Sequence, residues 1–149
     1  PSILSLFKIF IFLKFIYLLK YSHRINSNPA PNLNFSSASL NYGTGMLIIT
    51  FTETIDATPA DLVRLGNIYL SEKSGSNDIQ LTGAVTIALD GLGVTLRLSE
   101  TQRVTALLRS NTPGGDNSSI TLDLYKNAVQ DIGTNGILTI ISWSFPIPC

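Results

Sequence analysis

Few side chains in this sequence can do chemistry. Histidine occurs once, as His23, and cysteine once, as Cys149. His23 sits among Asn, Ser and Pro residues of linker composition, so a Ser-His-Asp or Cys-His nucleophile system has no imidazole base inside a folded body. A lone cysteine makes no intrachain disulfide and no Cys-x-x-Cys metal knuckle. What remains is oxygen. Glu53, Asp56, Asp131 and Asn135 fall where strands are expected to run into loops. Oxygen-rich strand ends suit calcium, a hard cation held by carboxylates and carbonyls. The competing expectation is that these short side chains end strands by accepting bonds from nearby backbone N–H groups. The dense Asp-x-Asp-x-Asp spacing of a dedicated calcium loop is missing.

Other motifs read more plainly. Gly43-Thr44-Gly45 and Gly91-Leu92-Gly93 do not lead into helices, so they mark turns or bulges rather than phosphate loops. Trp143 and Phe145 suit edge packing better than a sugar platform, and Tyr42, Tyr69 and Tyr125 are dispersed along the chain. Asn34-Phe35-Ser36 and Asn117-Ser118-Ser119 are sequons, so Asn34 and Asn117 are glycosylation candidates on a secreted chain.

The elements that must position these residues are strands. In Gly45–Ile55, Leu47, Ile49, Phe51 and Ile55 share one face, with Thr50, Thr52 and Thr54 on the other. Ile68 and Leu70 face inward around an outward Tyr69. Ile120, Leu122 and Leu124 do the same in Ser119–Tyr125, and a short strand is expected around Ser39–Tyr42. Residues Ile79 to Leu89 keep one parity, and Asp90-Gly91 supplies the positive φ of a two-residue turn. That turn predicts the pairs Leu89/Leu92, Ile87/Val94 and Val85/Leu96, all facing the core. Two helical turns interrupt the strands. Thr58-Pro59-Ala60-Asp61 reads as a capped start that sends Leu62, Val63 and Leu65 inward. Ser99-Glu100-Thr101-Gln102 is a capping box, with Val104, Leu107 and Leu108 expected on the buried face. Strands spaced by roughly ten residues predict an all-β sandwich or barrel.

The chain has 149 residues and no formal net charge, enough for one cored domain. The charge is unevenly divided: residues 31–149 hold six basic against ten acidic residues. A mildly acidic body argues against a nucleic-acid surface, which needs a basic stripe. Residues 1–27 form an apolar segment, with thirteen Leu, Ile or Phe from Ile3 to Leu19 interrupted by Lys8 and Lys14. Apolar residues favour insertion by roughly 0.3–0.6 kcal/mol each and a central lysine opposes it by about 2.5–3.5 kcal/mol, so the balance is marginally favourable. Three readings stay open: a membrane anchor over residues 3–19, a signal peptide broken by Lys14, or A/T-rich non-coding sequence read as protein. Residues 28–32 are a linker, residues 33–136 the folded domain, and residues 137–149 a tail outside it.

The order of these signals resembles a known repeat. Leu40–Asp56, with Gly45-Met46-Leu47-Ile48-Ile49-Thr50-Phe51-Thr52-Glu53-Thr54-Ile55-Asp56 at its heart, is similar to the opening strand of immunoglobulin-like repeats. Such repeats stand in tandem in large secreted or cell-surface proteins of microalgae and bacteria. Leu62–Leu70, Ile79–Leu98, Leu98–Ser110 and Ser119–Asn135 follow in the family's order, the last with its Ala128-Val129-Gln130-Asp131 ending. The resemblance covers residues 33–136. It implies an immunoglobulin-like antiparallel β-sandwich with one or two short capping helices. It further implies a non-catalytic structural or adhesive module outside the cell, with neighbouring repeats, other surface proteins or glycans as partners and no cofactor. The alternative is a calcium- or carbohydrate-binding sandwich.

Overall fold

Alternating apolar residues build two antiparallel sheets around one aliphatic core. The computed structural model describes residues 33–87 and 89–145; the segment 1–27, the linker 28–32, His23 and Cys149 lie outside the described residues. The first sheet has the order β1-β2-β6-β5, from Phe35–Asn41 (β1), Met46–Ile55 (β2), Val85–Ile87 (β5) and Gly91–Arg97 (β6). The second has the order β4-β3-β7-β8, from Ile68–Ser71 (β3), Ile79–Gln80 (β4), Thr121–Leu124 (β7) and Ile141–Ser144 (β8). One helix, Glu100–Leu108 (α1), joins the sheets between β6 and β7. Leu47, Ile49 and Phe51 of β2, Val94 and Leu96 of β6, Ile68 and Leu70 of β3, and Leu122 and Leu124 of β7 belong to the same buried cluster. Period-two alternation puts one row of each strand in that core.

The hairpin register differs from the sequence expectation. β5 pairs with β6 as Val85↔Arg97, Thr86↔Leu96 and Ile87↔Thr95, one residue away from the expected Val85/Leu96 and Ile87/Val94. A one-residue slip moves every side chain to the other face. Val85 and Ile87 are therefore exposed, by 53 and 45 %, and Leu89 and Leu92, beyond the paired residues, are exposed as well. Two local contacts explain the slip. Gly91 is not spent on a turn, because it pairs with Ile55 of β2. Asp90 turns its carboxylate to the β2–β3 connection, accepting from Ala57 N at 2.9 Å and from the Thr58 hydroxyl. Upstream, Ile79–Leu89 is not one strand. A 3-10 turn at Leu81–Gly83 carries the chain from the second sheet to the first, and it resets the parity so that Ala84 is buried instead of Val85.

The helix starts as expected and turns a different face inward. Ser99 Oγ accepts from Gln102 N at 3.3 Å, and Gln102 Oε1 accepts from Ser99 N at 3.0 Å, a reciprocal capping box. Gln102 Nε2 also donates to Gln80 O at 2.8 Å. That crossing bond pins the Gln102 side toward the protein, so Gln102 and Ala106 are buried while Val104 and Leu108 are exposed. The Thr58-Pro59 start is a single 3-10 turn, Ala60–Leu62, that begins one residue later than expected: its N-cap is Pro59, which has no side-chain acceptor to cap it, and the Thr58 hydroxyl donates to Asp90 instead. Val63 is buried behind it.

The expected boundary at residue 136 moves. Ile137 is buried, and β8 completes the second sheet against β7 from Thr121↔Ser144 to Leu124↔Ile141. Trp143 packs on Phe35 of β1 with ring centroids 5.3 Å apart. The strand expected near Ser39–Tyr42 is likewise longer and starts at Phe35. β1 begins beside the last residues of β2, where Thr52 N donates to Asn34 O at 3.0 Å. β8 finishes beside the start of β7, where Phe145 N donates to Ile120 O at 3.0 Å. Because β2 and β7 run away from their partners, the chain comes in at one end of the sandwich and leaves at the other.

Candidate functional site

The oxygen-bearing residues singled out from the sequence gather at the end where β2 finishes. Ile55 bridges to Asp131, and Asp56 N donates to Gln130 O at 3.0 Å. Asp131 is buried. Its Oδ1 accepts from Asn135 N at 2.7 Å and its Oδ2 from Asn135 Nδ2 at 2.9 Å. The Glu53 carboxyl group also reaches it. Burial pushes the Asp131 carboxyl up, but the Asn135 donors, with the Gly133 N–H, outweigh burial and hold it below the usual carboxylate range. The fold thus brings Glu53, Asp131 and Asn135 together, and ties Asp56 in through its backbone. Among the described residues, no three Asp, Glu, His or Cys side chains converge as cation ligands. The contacts present at Asp131 are those of a loop brace, with both oxygens accepting N–H bonds.

A second polar site lies on the other sheet. Asp123, in the middle of β7, is fully buried. Sequence alternation places it on the outer face of the second sheet, next to Tyr69 of β3 and Ser142 of β8. It is covered because the β3–β4 loop, residues 72–78, folds back over that face. Gly75 N donates to Asp123 Oδ2 at 2.8 Å, and Ser142 Oγ donates to Oδ1 at 2.6 Å. Ser142 Oγ is in turn 2.6 Å from Ser74 Oγ, and Asn77 N donates to Ser71 Oγ at 3.1 Å. Arg109, at the C-terminus of α1, lies 3.4 Å from Glu72 and 3.5 Å from Asp78, which further positions the loop. The one available signal was an aspartate inside a short apolar strand, a position where that residue is depleted.

Tyr69 and Tyr125, dispersed in sequence, meet on the same face with ring centroids 5.3 Å apart. Gln80 Nε2 donates to the Tyr69 hydroxyl at 2.8 Å, and the Tyr125 hydroxyl donates to Asn77 Oδ1 at 2.7 Å. They are diagonal neighbours across β3 and β7, where aromatic side chains reach each other. On the opposite outer face, Ile48 and Ile87 flank Thr95 in one cross-strand row, and Val85 stands beside Arg97 in the next. Asn34 and Asn117, the sequon asparagines, are both exposed. Among the described residues, no helix is long and apolar enough to cross a membrane.

Comparison with protein-family models, curated proteins and solved structures gives no match to this chain.

Proposed function

We propose that residues 33–145 form an immunoglobulin-like sandwich that serves as a non-catalytic structural or adhesive module of an extracellular or cell-surface protein. The strand orders support the fold reading. β1-β2-β6-β5 and β4-β3-β7-β8 follow the sequence of the A-B-E-D and C′-C-F-G sheets of that architecture. The core positions that carry a disulfide in antibody domains are aliphatic here. The observation carrying the functional reading is the opposed placement of the two ends. Pulled apart, they load the β1–β2 and β7–β8 ladders along the strands, so many hydrogen bonds resist together. Such a module spaces or links its neighbours. The exposed sequon asparagines, Asn34 and Asn117, support an extracellular setting, and residues 3–19 would supply a signal or anchor there. Pulling the chain by its two ends in an atomic-force microscope tests the reading. One cooperative unfolding event at high force supports it; gradual extension at low force refutes it.

A second reading is a ligand-binding sandwich. Calcium is favoured by the meeting of Glu53, Asp131 and Asn135 at one end, and a carbohydrate by the Tyr69–Tyr125 pair. Thermal melting with calcium and with wall polysaccharides separates these, since a ligand at about 100 times its Kd stabilises by roughly 2.7 kcal/mol. A calcium-induced rise that disappears in Asp131→Ala would favour the calcium form.

A further inference from the structure

Asn135-Gly136 is the sequence's one Asn-Gly pair, and the fold engages both residues. A Cβ on Gly136 would stand 2.5 Å from Asn127 Oδ1, so a larger residue there would turn the exposed Asn127 side chain aside. Asn135 is demanded by Asp131, whose two oxygens accept from its backbone and side-chain N–H groups at 2.7 and 2.9 Å. Asn-Gly is the dipeptide most open to cyclisation, because glycine puts no side chain in the path of its own nitrogen. The Gly136 nitrogen attacks Asn135 Cγ, the bond from Cγ to Nδ2 breaks, and ammonia leaves with the proton given up by the attacking amide. Water then opens the five-membered imide at either carbonyl, leaving aspartate or isoaspartate.

The geometry opposes this step. A carboxylate that holds both the backbone N–H and the side-chain amide of Asn135 folds the side chain toward its own N-terminal side. Cγ must swing the other way to meet Gly136. We propose that Asn135-Gly136 is a guarded self-modification site, in which Asp131 keeps the amide from cyclising and local opening of the 131–136 loop releases it. The modified residue brings a new carboxylate beside Asp131 and Glu53. It also removes the Nδ2 donor and repels the brace that joins this loop to β2, so conversion loosens that end of the sandwich irreversibly. The site therefore records how long and how often the loop has been open.

Peptide mapping of the full chain, aged at mildly alkaline pH, tests the proposal. Deamidation at Asn135 is expected to be slower in the folded protein than in urea by about tenfold or more, because the loop must open before the amide can cyclise. Asp131→Asn, folded as judged by its melting transition, is expected to lose most of that protection. Where that variant does not fold, Asp131→Glu, with the carboxylate one methylene farther out, replaces it and is expected to deamidate faster than the wild type. Equal rates in folded and urea-unfolded wild type overturn the guard. So does a folded Asp131 variant that ages as slowly as the wild type.

Discussion

Replacing Ile87 by lysine separates two registers of the same hairpin. With β5 paired as Ile87↔Thr95, the side chain at 87 faces solvent and is 45 % exposed. An outward lysine keeps its ammonium in water, so Ile87→Lys costs only the packing of a half-exposed side chain, roughly 1 kcal/mol. Turned inward, the same lysine would be an unpaired charge in an aliphatic core, a loss of several kcal/mol. That is comparable with the whole stability of a domain this size, about 5–15 kcal/mol. Leu96→Ala is the internal reference. Leu96 is fully buried, and truncation leaves a cavity as well as losing transfer energy, about 2.7–5 kcal/mol together. Urea unfolding followed by tryptophan fluorescence reads both, since Trp143 packs on Phe35 at the edge of the core. With a slope of about 1–3 kcal/mol per molar urea, Leu96→Ala lowers the midpoint by roughly 1 M or more. Ile87→Lys should move it by a fraction of that. An Ile87→Lys protein that is unfolded, or as weakened as Leu96→Ala, would show that Ile87 packs inward and that the register argument is wrong.

Three further outcomes are expected. Hydrogen bonds hold the carboxyls of Asp78 and Asp116 below their usual range, from Ser76 and Glu72 in one case and Ser118 in the other; at Asp131 the Asn135 bonds prevail over burial. Depressed carboxylates stabilise the folded state above the unfolded value of about 3.9 and lose that contribution as pH falls through their folded values; melting temperatures should fall steeply below about pH 4, and a flat profile there would contradict the bonding described. Asp123→Ala removes the acceptor of Gly75 N and Ser142 Oγ, costing about 0.5–1.5 kcal/mol for each lost bond; limited trypsin digestion should then cut faster after the exposed Lys73, whereas an unchanged rate would mean that Asp123 does not hold the loop. Ser99→Ala removes the hydroxyl of the capping box and should lower stability by about 1 kcal/mol, read from the same urea curves.

The strands that could be read in advance are those where composition and alternation agree over several residues. Leu47, Ile49 and Phe51, or Ile120, Leu122 and Leu124, are buried because a two-residue period admits only one inward row. Alternation cannot count residues through an irregular turn. The Leu81–Gly83 turn resets the parity of the chain, and nothing local in Ile79–Leu89 announces it. Asp90-Gly91 has the residues of a turn, yet its partners are Ala57, Thr58 and Ile55, more than thirty positions away. The helix face failed for a similar reason, since Gln102 answers to Gln80 across the protein. At the candidate sites, a place at a strand end was enough to single out Asp131 and Asn135, and their contact spans only four residues. The covering of Asp123 depends on a loop from another part of the chain, so only the out-of-place acid hinted at it.

The two sheets are joined by apolar packing, mostly aliphatic, with Ile49 on one and Leu122 on the other fully buried and no cysteine between residues 33 and 145. Antibody-type sandwiches wait for an oxidant to close their central crosslink. This one has no such step to wait for, so its assembly is indifferent to the thiol chemistry of its surroundings.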